Sequence, residues 1–167
     1  LLSQSVDVET ASPEVIRAAA MAQAQTGKLD QAMAMLQRSL EARPDDAVLL
    51  SLYGVLALNI PEREREGYLS LQKALAKDPH RGNVRLVLAR HHFQRGETEQ
   101  GLAQLRAAFD YQPADWPVTR VYVNQPLSEG QLNELATVVE RLNEAAPRAP
   151  ETRLFESQYR FRDGNTR

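Results

Sequence analysis

The stretch from Gly82 to Pro113, GNVRLVLARHHFQRGETEQGLAQLRAAFDYQP, decides how this chain folds. It reads as two helices back to back. Val84, Val87, Leu88 and Ala89 belong to the first, which breaks at Arg95-Gly96. Leu102, Leu105, Ala108 and Phe109 recur at spacings of three and four, the mark of a second, amphipathic helix. Gly96 suits the residue just past a helix end, where a left-handed backbone is cheapest without a Cβ. Pro113 cannot continue the second helix and stops it.

Working outward, the unit recurs. Prolines fall at 44, 79, 113 and 147, in steps of 35, 34 and 34 residues. Ahead of them stand small residues where two helix backbones must cross: Ala20, Gly54 and Ala89, then Ala32, Gly67 and Gly101. One extra residue enters the second unit near Asn59-Ile60-Pro61. The pattern, large–small–x-x–large, then small-x-x-x-large, then Pro, resembles the tetratricopeptide repeat, a helix–turn–helix of about 34 residues. The resemblance covers 13–147 as four repeats: 13–46, 47–81, 82–115 and 116–149. It implies an all-α, right-handed superhelical solenoid of antiparallel helix pairs, about nine helices, with no sheet. Residues 1–12 stand outside the pattern as an extension or the end of a preceding helix, and 150–167 read as the first helix of a further, truncated repeat. The whole is expected to be a segment of a larger protein.

Several local signals place the helix ends. Ser12-Pro13-Glu14 reads as N-cap, first helical residue and first-turn acid. Asp45 or Asp46 caps the first helix of repeat two, and its second helix begins near Pro61. Glu62-Arg63-Glu64-Arg65-Glu66 reads as a solvated face with local ion pairs. The fourth repeat departs from the pattern. Its β-branched first half and Pro126 predict a helix of about two turns ending at Asn124, then a reshaped loop to Ser128. Ser128-x-x-Gln131 then resembles a capping box.

Composition narrows the function. The formal charge is −2, so no global field calls for nucleic acid or an anionic membrane. There is no cysteine, which removes disulfide and thiol chemistry. No apolar run approaches the ~20 residues of a membrane span, and the N-terminal LLSQSVDVET is no intact signal peptide. Arginine supplies 17 of the 20 basic residues and alanine is abundant, usage associated with GC-rich bacterial genomes. The histidines are His80, His91 and His92; adjacent helical residues point about 100° apart, so the last two do not converge on a metal. His92 is expected in the core and His91 near the surface. Neither a phosphate-cradling glycine loop nor a nucleophile elbow is present, so no enzyme, cofactor, metal or small-molecule substrate is expected.

The resemblance directs attention to a groove instead. In this family the first helices line a concave face, and their second, fifth, ninth and twelfth positions contact extended or helical peptides. Carried over, the groove residues are Arg17, Met21, Ser51, Val55, Leu58, Leu86, Arg90, Phe93 and Arg120, with Glu14, Ala24, Val48 and Asn83 at the remaining positions. A heat-shock-chaperone clamp needs Lys and Asn at the fifth and ninth positions. Here those hold Arg17 with Met21, Ser51 with Val55, and Leu86 with Arg90, so that partner is not expected. The resemblance implies a non-catalytic scaffold for a protein partner, in a periplasmic export or envelope assembly, with a cytoplasmic setting as the other option. The alternatives are a spacer between envelope machinery and an outer-membrane pore, or the accessory domain of an enzyme in the same chain.

Overall fold

Each proline of the recurring series ends a helix two residues early. This computed structural model describes residues 10–129 and 132–164, with the side chains of 125–129 outside that description. Helix α2 (Leu29–Ala42) stops before Pro44, α4 (Glu64–Lys77) before Pro79, α6 (Thr98–Tyr111) before Pro113 and α8 (Leu132–Ala145) before Pro147. They alternate with α1 (Pro13–Gln25), α3 (Ala47–Leu58), α5 (Gly82–Gln94), α7 (Trp116–Glu129) and α9 (Pro150–Arg162). Among the described residues the fold is all-α, built of antiparallel helix pairs.

The helix starts follow the local chemistry. Ser12 Oγ accepts from the Val15 N–H at 3.4 Å. Asp46 rather than Asp45 caps α3, its Oδ1 taking the N–H groups of Val48 and Leu49 at 2.9 and 3.0 Å. A 3-10 turn, Pro61–Arg63, leads into α4 and absorbs the extra residue of that repeat. The turns after α1 and α5 are alike. Gly27 and Gly96 sit at φ +79° and +75°, and Lys28 and Glu97 donate back to the carbonyls of Gln23 and His92 at 2.9 Å each. These are Schellman-type closures, and a Cβ would strain them.

The chain forms two compact units, Leu1–Val84 and Arg85–Arg167. The border falls inside the first turn of α5. In unit 1, α1 packs on α2 and on α3, α2 on α3, and α3 on α4. Ile16, Ala20, Met33, Leu36, Leu49 and Tyr53 are central to its core. In unit 2, α6 packs on α7, α7 on α8 and α8 on α9. Its core includes Leu105, Phe109, Val118, Tyr122, Val123, Leu135, Leu142 and Phe155.

Helix α7 corrects the expectation for repeat four. The short helix ending at Asn124 and the reshaped loop are absent; α7 runs fourteen residues, through Pro126, to Glu129. Val118, Tyr122 and Val123 lie at spacings of four and one on its packed face, at most 4% exposed. Burying those three contributes about 6 kcal/mol, against about 3 kcal/mol for a proline inside a helix. Tertiary packing wins over the local signal. The expected capping box of Ser128 and Gln131 lies outside the described residues.

Candidate functional site

The groove positions separate into those the packing leaves open and those it consumes. In unit 1, α1 exposes Glu14, Arg17 and Met21, the last at 36%. On the neighbouring α3, Val48, Val55 and Leu58 are half-buried. Ser51 is not open: it is 5% exposed, and its hydroxyl turns back to the Ala47 carbonyl of its own helix. In unit 2, Arg90 is exposed, whereas Leu86 is 8% exposed and belongs to the core. Phe93 faces inward over α6, where a Cβ on Gly101 would meet its ring carbon at 2.4 Å. Arg120 is exposed, but its Nη2 donates to Glu151 Oε1 of α9 at 3.0 Å, tying two first helices together.

His92 is 6% exposed and His91 partly exposed, as the spacing predicts. The His92 Nδ1 donates to Glu97 Oε2 at 2.6 Å across the turn that Gly96 makes. That bond, followed by one from Arg95, holds the Glu97 carboxyl below the usual carboxylate range. The pair locks a turn. Among the described residues, no cluster of three or more His, Cys, Asp or Glu is placed to hold a metal, and no helix is long and apolar enough to cross a membrane.

Each unit also carries a cleft that sequence reasoning missed, on the side of the second helices. In unit 2 it lies between α6 and α8, about 260 Å³, lined by Arg106, Phe109, Asp110, Tyr122, Glu134 and Arg141 among others. Arg106 Nη2 donates to Glu134 Oε1 at 2.8 Å and its Nε to Tyr122 Oη at 3.3 Å. Tyr122 in turn donates to the same carboxylate at 2.9 Å. Burial above all pushes the Tyr122 phenol up. Arg106 is pushed further above its usual range by its bonds to Tyr122 and Glu134. Arg141 sits 5.5 Å from the Phe109 ring centre and donates to Asp110 at 2.5 Å.

In unit 1 the cleft lies between α2 and α4, about 490 Å³, lined by Gln37, Leu40, Glu41, Tyr53, Glu66 and Lys73 among others. Tyr53 is 2% exposed, and its phenol is pushed up first by burial and then by its hydrogen bond with Glu66. Gln37 Nε2 donates to Tyr53 Oη at 3.3 Å. Glu66 is therefore more than one member of a solvated charge run. The readable signal was a tyrosine at 53 and again at 122, two repeats on.

With helix pairs, proline stops and small-residue crossings in place, comparison adds a name. Residues 66–118 match the tetratricopeptide repeat family. The match takes in most of α4, all of α5 and α6, and the start of α7. No curated protein matches the chain. Tetratricopeptide repeats generally mediate protein–protein interaction and are generally non-catalytic.

Proposed function

We propose that this chain is a non-catalytic scaffold that docks a protein partner on the first-helix face of unit 1. Helix α3 carries the reading. Its twelve residues, AVLLSLYGVLAL, include no charge, yet Val48, Val55 and Leu58 keep part of their surface. Half-open apolar positions along one strip favour a covering segment. Arg17 and Met21 on the adjacent α1 add a carboxylate anchor and an adaptable apolar contact. In unit 2 the arginines Arg90 and Arg120 offer orientation more than contact area. Placement in an envelope or export assembly rests on the family resemblance alone, and fractionation of the source cells checks it.

The experiment is site-specific photo-crosslinking in extract of the source cells. A photoreactive residue at Val55 is expected to give one discrete adduct; the same residue at the exposed Gln72 of α4 is expected to give none. Met21→Glu should weaken the adduct about tenfold, the cost of a contact worth about 1.4 kcal/mol. Identical adducts at both positions would overturn the reading.

A further inference from the structure

The two tyrosine clefts are one site written twice. Gln37, Glu41 and Tyr53 stand 69 residues before Arg106, Asp110 and Tyr122; Glu66 and Lys73 stand 68 before Glu134 and Arg141. The step shortens by one where the extra residue enters at 59–61. Seven lining positions of the two clefts are thus equivalent, Leu40 with Phe109 and Ser70 with Val138 completing the set. Among these seven positions one substitution changes the charge. Where unit 2 has Arg106, unit 1 has Gln37, shorter and uncharged.

In unit 2 the Arg106 guanidinium occupies the place where a buried tyrosine hydroxyl and a glutamate converge. In unit 1 the equivalent Tyr53 and Glu66 line one cleft and share a hydrogen bond, and an uncharged amide, that of Gln37, donates to the hydroxyl in the place of Arg106. The cleft is nearly twice as large, about 490 against 260 Å³. Glu41 and Lys73 stand where unit 2 has the ion pair of Asp110 and Arg141, and Arg63 reaches Tyr53 as a charge. We infer that the unit 1 cleft receives the guanidinium of an arginine from a partner protein, in the position that unit 2 fills with its own Arg106.

Guanidinium is preferred to ammonium because two acceptors, Tyr53 Oη and the Glu66 carboxylate, lie side by side. A planar fork of donors meets both at once, as Arg106 does through Nε and Nη2. Leu40 supplies the apolar wall that Phe109 supplies in unit 2. The cleft lies between α2 and α4, and its lining residues are not those of the strip described above, so the two readings stand or fall separately.

The test is a nuclear magnetic resonance titration of the full chain with a capped Gly-Arg-Gly peptide and its lysine and citrulline analogues. Arginine peptide is expected to bind at roughly 1 mM, shifting the amides of Gln37, Tyr53, Glu66 and Lys73. Citrulline, the same shape without charge, should bind about tenfold more weakly, with lysine between the two. Gln37→Arg should fill the cleft from within, abolish the shifts and leave the melting curve unchanged or raised. Gln37→Ala should keep the binding. No shift at ten times that concentration, equal binding of the citrulline peptide, or full binding by Gln37→Arg would each overturn the proposal.

Discussion

The pairs α3–α4 and α5–α6 carry the same repeat positions and close their crossings by different means. At α3–α4 the contact is backbone on backbone. A Cβ on Gly67 would lie 2.5 Å from the Leu58 nitrogen and 2.9 Å from the Gly54 carbonyl oxygen. At α5–α6 the position equivalent to Gly67 is Gly101, and the space beside it is filled by a side chain, the ring of Phe93. The same small residue thus answers two demands. At Gly67 nothing can yield without separating two helices; at Gly101 a ring can turn.

The largest effect expected from this contrast is at Gly67. Gly67→Ala should lower unfolding free energy by about 3 kcal/mol, the upper end for overpacking, read from urea melts. A cost no greater than that of Gly101→Ala would erase the distinction. Phe93→Ala comes next. It empties a half-buried space over Gly101 and should cost about 2 kcal/mol, below the range for a fully buried Phe. Gly101→Ala alone should cost about 1 kcal/mol, as the ring shifts to make room, with Gly101→Leu costing more. In the Phe93→Ala background that cost should vanish, a coupling of about 1 kcal/mol. Additive costs would mean that the ring is not what Gly101 accommodates.

The smallest effect concerns the turn that α5–α6 possesses and α3–α4 lacks. Its Glu97 carboxyl is held below the ordinary value of 4.5, chiefly by His92. The folded-state value is depressed, so the contribution is present above that ordinary value and is lost as pH falls below it. Wild type should therefore lose more melting temperature on acidification through this range than Glu97→Gln does. Parallel acid profiles would break the assignment. The α3–α4 turn has a 3-10 segment in place of this pair and should not contribute to the difference.

Much of this was legible along the chain because the signals are local. Proline stops a helix through its own ring, and Ser12, Asp46 and Gly96 act within three to five residues of themselves. Small residues at period 34 announced close crossings, though not which atoms would fill the space. The candidate site was legible only in part. Arg17, Met21 and Arg90 are exposed as the resemblance implies, while Ser51 and Leu86 are consumed by packing and Phe93 turns toward Gly101. A position on a helical wheel states direction and says nothing of what neighbouring helices bring to that side.

The amino-acid sequence by itself determined that the fold is built of paired helices, where the second helix of each pair ends, and which residues must be small, since these follow from backbone sterics and short-range periodicity. Only the tertiary structure decided that α7 runs through Pro126, because the burial of Val118, Tyr122 and Val123 outweighs one disfavoured turn. Only the tertiary structure paired Arg106 with Tyr122 and Glu134, and Gln37 with Tyr53 beside Glu66. Those partners stand twelve to twenty-eight residues apart on separate helices. A hydrogen bond forms on distance and angle, which helix packing sets and which no local pattern of residue types records.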